Sequence, residues 1–330
     1  MAEISIGSAV AAGFQLIAKK PLAVLAWGLV RLLFAAAVLA IYAPIMLGIF
    51  TEALQQAQTG EGGGQSQAAV AQMMSHLMVM QGAGSLAQIV GLFLSAVLYC
   101  AICRAVVHPE RGAWAYLRLG APEFFVAVIS FAAGIVAFIA ILICMIPFII
   151  VIAILAAQKA IAAMVVLIVL AALVLAAALI YVLLRFAFVI PMMVDDGQFH
   201  LFDAWSLTKG HVASLFVIGL CLVGIAIAAE LVIGALFFGL AAAAGVGHLL
   251  GGPQDLQALL ALGPAAIAAR LAPWLIAGAV VAIPFEGCAL AIMMAPWARA
   301  YRDVAPPAQA AAVTPPPATE PPNQPSPAVA

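Results

Sequence analysis

Charged residues are scarce in this sequence: Asp, Glu, Lys and Arg together make up 8% of its 330 residues. Hydrophobic residues make up 67%, and the mean hydropathy is +1.24. A soluble fold has too small an interior to hide that much apolar surface, so the sequence predicts a protein with several membrane spans. The formal net charge of −1 excludes a general electrostatic attraction to nucleic acid, and we expect no nucleic-acid partner.

Cysteine is also rare, and the usual catalytic motifs are missing. The five cysteines all lie within apolar stretches, whereas disulfide frameworks and zinc sites place cysteines in polar loops. The sequence contains no phosphate-binding glycine loop, no HExxH motif and no GxSxG motif. We therefore expect no cofactor, no metal and no catalytic residue, and an enzyme is the least supported class of function.

The apolar stretches themselves are long enough to cross a membrane as helices. Each covers the roughly 20 residues that span about 30 Å of hydrocarbon, and none alternates polar with apolar residues as barrel strands do. We predict an all-α membrane protein with six transmembrane helices arranged as three hairpins, together with cytoplasmic interfacial amphipathic helices. The predicted spans are residues 22–50, 86–107, 124–157, 161–194, 212–244 and 273–297.

The spans define a single predicted domain and a tail. Residues 1–303 form the polytopic membrane domain. Residues 304–330 are rich in Pro and Ala and have too little apolar bulk to pack, so we expect this cytoplasmic tail to be disordered.

The distribution of basic residues predicts the orientation. If the N-terminus lies in the cytoplasm, nine basic residues fall on that side, namely Lys19, Lys20, Arg104, Arg111, Arg118, Arg185, Lys209, Arg299 and Arg302. Two, Lys159 and Arg270, fall on the other side, and Arg31 lies within the first span. Because cytoplasmic loops of membrane proteins are rich in Lys and Arg, we expect a bacterial inner-membrane protein with both termini in the cytoplasm.

The segment between the fourth and fifth predicted spans is the one around which we expect the protein to be organised. Two aspartates at 195–196 supply helix-starting chemistry, and Gly210 supplies a stop. Between them, Phe199, Phe202 and Trp205 recur every three residues and so share one helical face. We predict an amphipathic helix here that lies at the headgroup boundary.

Two earlier cytoplasmic segments follow the same plan. Residues 4–18 are predicted to form an amphipathic lead-in helix whose apolar face includes Phe14. Residues 109–120 are predicted to form a helix that begins at a proline and ends at a glycine. Each helix precedes two spans, which predicts three repeated modules. The alternative is that any six-span protein has three such segments, whose aromatic and basic residues suit the interface anyway.

Two carboxylates within predicted spans, Glu230 and Glu286, form a candidate intramembrane polar site. A charge at that depth is costly unless it is paired, wetted or protonated. One interpretation is a polar pocket or proton-coupled path between these helices, served by Arg185 or Arg31. The other is a pair of protonated or hydrogen-bonded glutamates that hold helices together. For Arg31, a side chain that reaches back to the cytoplasmic headgroups is favoured over one that faces the bundle interior.

Three segments of the chain resemble a known family. The first follows Arg185 and Pro191 and contains the interfacial motif Trp205, Ser206, Thr208, Lys209 and Gly210. The others are Gly13-Phe14 before Lys19-Lys20, and Ala300-Tyr301-Arg302-Asp303 after the last predicted span. Together they are similar to bacterial multi-pass membrane proteins related to the glycerophosphoryl diester phosphodiesterase membrane domain, an uncharacterised family.

The resemblance implies a six-helix inner-membrane protein. In members that are fused to a phosphodiesterase, catalysis belongs to a separate soluble TIM barrel, which we do not expect in this chain. Two functions remain open. The first is a non-enzymatic protein that organises membrane lipids or an unknown protein partner; the second is a transporter or lipid-moving protein that uses Glu230 and Glu286.

Overall fold

The computed structural model describes residues 3–59, 67–110, 114–158, 161–198, 201–243 and 264–305, and these residues contain helices but no β-strand. The helices are α1 (Ile6–Lys19), α2 (Pro21–Thr59), α3 (Gln67–Val107), α4 (Ala121–Ala157), α5 (Ile161–Arg185), α6 (Val189–Asp196), α7 (Leu201–Leu207), α8 (Val212–Ala243) and α9 (Pro264–Val304). A short 3-10 turn covers Trp114–Tyr116.

Within the described part of the chain, six helical segments are long and apolar enough to cross a membrane. They are Pro21–Met46, Leu77–Val107, Trp114–Ile154, Ile161–Asp196, Val212–Gly239 and Ile276–Val304. A helix suits this environment because it satisfies every backbone hydrogen bond within one segment, where lipid offers none. The prediction of an all-helical chain with six helices of spanning length is confirmed.

Three helices extend well beyond the predicted spans. α2 has 39 residues, and α3 and α9 have 41 each. At 1.5 Å per residue they are about 60 Å long, roughly twice the thickness of the hydrocarbon core. The connections predicted between spans are therefore partly helical, because their Gln, Ala and Met residues are good helix formers. Residues 60–66, 244–263 and the predicted tail from 306 onward lie outside the described part of the chain.

The helix predicted over residues 109–120 is wrong. The described residues of this segment form only the 3-10 turn, in which Ala115 and Tyr116 have positive φ angles of 51° and 57°. Side-chain hydrogen bonds hold the turn: Trp27 Nε1 donates to the Ala115 carbonyl at 2.8 Å, and the Tyr116 hydroxyl donates to the Pro109 carbonyl at 2.9 Å. These tertiary contacts replace the backbone bonds of a helix. Residues 111–113 lie outside the described ranges.

The segment between the fourth and fifth spans also differs from its prediction. Asp196 ends α6 instead of beginning a helix, and Gly197 follows it in a left-handed conformation with φ 73°. α7 is then only seven residues long. The fourth predicted span is interrupted as well, because α5 ends at Arg185 and α6 begins at Val189. Phe199 lies outside the described residues, so its predicted place beside Phe202 stays a prediction.

The buried residues gather at one end of the helix bundle. Apart from Ala171 in the middle of α5, they lie in or beside α1, the 3-10 turn, α6 and α7, the first turns of α2, α4 and α8, and the last turns of α3, α5 and α9. The largest of them are Trp27, Phe188, Leu98 and Ile102. We call this region the packed end. It is the end that the basic residues predict to be cytoplasmic.

Away from the packed end, most of the helix surface is not covered by other parts of the protein. The most apolar 18-residue windows of the spans at Trp114–Ile154 and Ile161–Asp196 have mean hydropathies of 3.3 and 3.2, yet only 0% and 6% of them is buried. Apolar helix surface that no protein covers is stable when lipid solvates it, because lipid tails are as apolar as the side chains. α4 and α5 therefore have the composition of lipid-facing helices.

α1 packs through small residues together with most of its predicted apolar face. Ala9, Ala12, Gly13 and Leu16 are buried, whereas Phe14 is half exposed. A Cβ at Gly13 would lie 2.6 Å from the Cα of Ile292, so only glycine allows α1 to approach α9 this closely. Of the face predicted from bulky residues, Ile6, Val10 and Ile17 are partly buried against the core, and only Phe14 is exposed.

The most extensive contacts join the two ends of the chain. α9 packs against α2 and α1 more extensively than against its neighbour in sequence, α8. Consecutive spans touch as well, α2 with α3, α4 with α5, and α8 with α9. The packed end is therefore organised around the crossing of α2 and α9.

Candidate functional site

Two glycines set the distance between α2 and α9. A Cβ at Gly28 would collide with the carbonyl oxygen of Ile283, and a Cβ at Gly287 would collide with the carbonyl oxygen of Val24. Small residues of this kind allow helix backbones to approach closely in membranes, where no hydrophobic driving force brings helices together. The crossing fixes the positions of the side chains that follow on the same helix faces.

An ion pair lies beside this crossing. Arg31 stands three residues after Gly28, and Glu286 stands immediately before Gly287. Arg31 Nε lies 2.8 Å from Glu286 Oε2, with 44% and 35% of the two side chains exposed. Pairing makes both charges tolerable within spans, because each removes much of the other's desolvation cost. Arg31 thus faces another helix, the arrangement that the sequence analysis held less favoured.

A cleft of about 660 Å³ opens next to Arg31, between α2 and α3. Its walls are mainly apolar, and its lining consists of Arg31, Phe34, Ala35, Val38, Leu39, Tyr42, Ala87, Gln88, Gly91, Leu94, Ser95 and Leu98. The ion pair therefore borders a space large enough for a small molecule, since such sites commonly measure about 300 to 1,000 Å³.

The other two residues of the predicted polar site are elsewhere. Glu230 is exposed on α8 and forms no ion pair or hydrogen bond with a described residue. Arg185 is buried at the end of α5, in contact with the interfacial motif. The structure thus brings Arg31 and Glu286 together and assigns Glu230 and Arg185 to different surroundings.

The interfacial motif is built around Arg185. The guanidinium carbon lies 4.5 Å from the centre of the Trp205 ring and 5.6 Å from that of Tyr181. Arg185 Nη1 donates to the Trp205 carbonyl at 3.3 Å. The buried Thr208 hydroxyl lies 3.1 Å from the carbonyl oxygens of both Arg185 and Trp205, so its proton can be donated to either. These contacts fasten α7 to the end of α5.

The remaining residues of the motif lie on its outer side. Ser206 Oγ donates to the Asp203 carbonyl at 2.8 Å, which closes a local turn. Lys209 is exposed. Gly210 has a φ of 92°, a conformation that favours glycine and lets the chain turn into α8.

Two further polar clusters at the packed end were not found from the sequence. Arg104 at the end of α3 forms an ion pair with the buried Glu123 at the start of α4, and its Nη1 donates to the Tyr116 carbonyl at 3.3 Å. A charged residue immediately before the predicted span 124–157 was the available signal for Glu123, although its partner could not be deduced.

The second cluster ties three helices together. His108 Nε2 lies 3.1 Å from Asp195 Oδ1, and the Tyr301 hydroxyl donates to Asp195 Oδ2 at 3.0 Å. Tyr301 belongs to the closing segment on which the family resemblance rests, which was the only hint of its importance. Asp195 therefore links the ends of α3, α6 and α9.

Among the described residues, no group of three or more His, Cys, Asp and Glu side chains is placed to hold a metal ion. Comparison with family models, with curated proteins and with solved structures finds no match for this chain.

Proposed function

We propose that this chain is a non-enzymatic protein of a bacterial inner membrane that organises lipids at its cytoplasmic face, where a partner protein could also bind. In this proposal both termini are cytoplasmic, the six spans form three hairpins, and α1 and α7 are interfacial helices. The relation to membrane proteins of the glycerophosphoryl diester phosphodiesterase type belongs to the same proposal and rests on the three sequence segments alone.

One observation carries the proposal: large apolar side chains stand exposed beside the packed end. Trp114, Leu119 and Phe202 are 79%, 88% and 79% exposed, and each lies in or beside a connection between spans. Exposed apolar groups at this level are favourable only if they enter the headgroup boundary, where aromatic residues are enriched in membrane proteins. Several such side chains, inserted at the headgroup boundary, would hold the packed end at a fixed depth in the membrane.

Basic side chains accompany these apolar ones. Lys19, Lys20, Arg118 and Lys209 are all exposed near the packed end. Lys20 also lies 5.8 Å from the centre of the Tyr116 ring, which keeps its charge close to the connection. Cations next to a membrane surface attract anionic lipids, with about 1 kcal/mol for each Lys or Arg. The combination supports an enrichment of anionic lipid around the cytoplasmic face.

The proposal is tested by measuring lipid selectivity. Spin-labelled phosphatidylglycerol and phosphatidylcholine are compared by electron paramagnetic resonance in vesicles that contain the purified protein. We expect the parent to immobilise phosphatidylglycerol preferentially. A Lys19→Gln/Lys20→Gln variant should lose most of this preference, because two favourable charge interactions are removed.

The matched control removes two charges from the predicted outer side, Lys159→Gln/Arg270→Gln, and should retain most of the preference. An equal loss in both variants would mean that the effect follows overall charge and not the cytoplasmic face. No preference in the parent would remove the lipid-organising function.

A second candidate function is favoured by the Arg31–Glu286 pair. A transporter or lipid-moving protein needs polar groups within its spans, and this pair borders a cleft. Glu230, the other residue on which this alternative was based, is exposed and forms no ion pair or hydrogen bond with Arg31 or Glu286. The alternative therefore rests on Glu286 and Arg31 alone and is the less supported of the two.

A further inference from the structure

The cleft between α2 and α3 has the form of a narrow apolar groove. Along α2 its lining runs from Arg31 to Tyr42, which corresponds to about 16 Å of helix. The Tyr42 hydroxyl lies 3.5 Å from the Met80 carbonyl and bridges the two helices at the far end. Its volume, about 660 Å³, is that of a site for one small molecule or one chain of a larger molecule.

A hydrogen-bond donor stands at one end of this groove. Arg31 Nε lies 2.8 Å from Glu286 Oε2, and the Nη atoms of Arg31 donate no hydrogen bond to a described residue. A guanidinium carries five N–H donors, so several remain available on the side that lines the cleft. Donors without partners inside a membrane are costly, which favours an occupant that brings an acceptor.

The charge of the pair limits the kind of acceptor. Glu286 already balances Arg31, so a second carboxylate placed here would add an uncompensated negative charge within the spans. A neutral carbonyl oxygen accepts from the Nη atoms without that cost. The groove beyond Arg31 is lined by apolar side chains such as Phe34, Val38 and Leu94, which suit a hydrocarbon chain.

We propose that the cleft binds one acyl chain of a membrane phospholipid, with the ester carbonyl of that chain hydrogen-bonded to Arg31. Both walls are membrane spans, so the surrounding bilayer is the source of the occupant. On α2, Arg31 is the lining residue nearest the packed end, so the chain runs from the cytoplasmic leaflet towards Tyr42. This inference rests on the proposed lipid-organising function and adds to it a defined site with a ligand class.

The test uses native mass spectrometry of the detergent-purified, delipidated protein. Three probes are added separately: dioleoylphosphatidylcholine, its dialkyl ether analogue, which has the same head and chain lengths but no ester carbonyls, and oleic acid. We expect one tightly held diester lipid per protein. The ether lipid should bind at least tenfold more weakly, and oleic acid should not be retained. Because this comparison uses only the parent protein, misfolding of a variant cannot explain its result.

Two variants locate the site. Ala35→Trp puts a large side chain into the cleft and should abolish retention of the diester lipid. Ala36→Trp adds the same side chain at the next, also exposed position, which does not line the cleft, and should leave retention unchanged. An Arg31→Met/Glu286→Gln variant, which removes both charges of the pair and the hydrogen-bond donors at position 31, should bind the ester and ether lipids equally.

Four results would overturn the proposal. They are equal binding of ester and ether lipids by the parent, retention of oleic acid in place of phospholipid, an unchanged occupancy in Ala35→Trp, and an equal loss in Ala35→Trp and Ala36→Trp. Lys19→Gln/Lys20→Gln should still hold the diester lipid. Failure of the cleft site is therefore distinguishable from failure of the cytoplasmic lipid preference.

Discussion

At the scale of single residues, Trp205 contributes to the attachment of α7 to the end of α5. Its ring lies against Arg185 on one side and makes aromatic contacts with Phe186 and Tyr181, whose ring centres are 5.4 Å and 6.3 Å away. Arg185 Nε is buried and has no hydrogen-bond partner among the described residues. The face of the indole is therefore an important partner of that cation, through a cation–π interaction.

Replacing Trp205 by Ala should destabilise the protein by about 3 kcal/mol, the lower end of the range for large aromatic truncations, because the ring is only partly buried. Lys209→Ala, at an exposed position just beyond the same helix, should cost about 0.3 to 1 kcal/mol. Thermal aggregation of the two variants in detergent measures the difference. If Trp205→Ala is as stable as the parent, α7 is a detachable surface element and the contacts to Arg185 contribute little.

At the scale of helices, the crossing of α2 and α9 depends on one glycine in each helix, where a side chain would not fit. Gly28 and Gly287 let backbone carbonyls of one helix lie where a Cβ of the other would be. This close approach brings Arg31 within 2.8 Å of Glu286. A change in the separation of the two helices would therefore break the ion pair without altering either charged residue.

Gly28→Ala should lower the thermal stability in detergent, by about 1 to 3 kcal/mol, because the added methyl group forces α2 away from α9. The control is Gly224→Ala on α8, where a Cβ meets nothing within 4 Å. That substitution should be neutral or stabilising, since alanine is the better helix former by about 1 kcal/mol. A loss of stability in the control as large as in Gly28→Ala would show that glycine matters here for reasons other than the crossing.

At the scale of the whole molecule, the packed end and the basic residues coincide. Arg104, Arg185, Arg299 and Arg302 all belong to the helix ends that meet there. Arg302 Nη1 donates to the Val106 carbonyl at 3.0 Å, and Arg299 pairs with Asp303 at 3.3 Å. Arg104, Arg185 and Arg302 join the ends of different helices, whereas Arg299 pairs within α9. Three of the charges that predict a cytoplasmic location therefore also contribute to packing.

Reporter fusions test the orientation. Fusions after Gly112, Gly197 and Ala310 should behave as cytoplasmic, and a fusion after Gly64 should behave as periplasmic. The reason is that connections rich in Lys and Arg stay on the cytoplasmic side of the membrane. An alkaline phosphatase and a green fluorescent protein reporter at each position give opposite signals and serve as mutual controls. A periplasmic signal at Gly197 would contradict the six-span orientation.

The sequence by itself determined the helical class and the number of spanning segments, because solvation by lipid depends on the local composition of each stretch and not on its neighbours. It also located Trp205 and Gly210 in one segment, since aromatic and turn residues act over a few positions, whereas Thr208 was indicated only by the family resemblance. It could not determine that Arg31 meets Glu286 while Glu230 is left without a partner among the described residues.

Only the tertiary structure decided those pairings, because they depend on how closely distant helices approach. The approach of α2 to α9 is set by two glycines that carry no hydrophobic signal. The turn at Trp114–Tyr116 is likewise set by hydrogen bonds from Trp27 and Tyr116 and not by its own helix propensity. In a membrane, where apolar residues face lipid and protein alike, hydrophobicity shows that a helix crosses and leaves open which face packs.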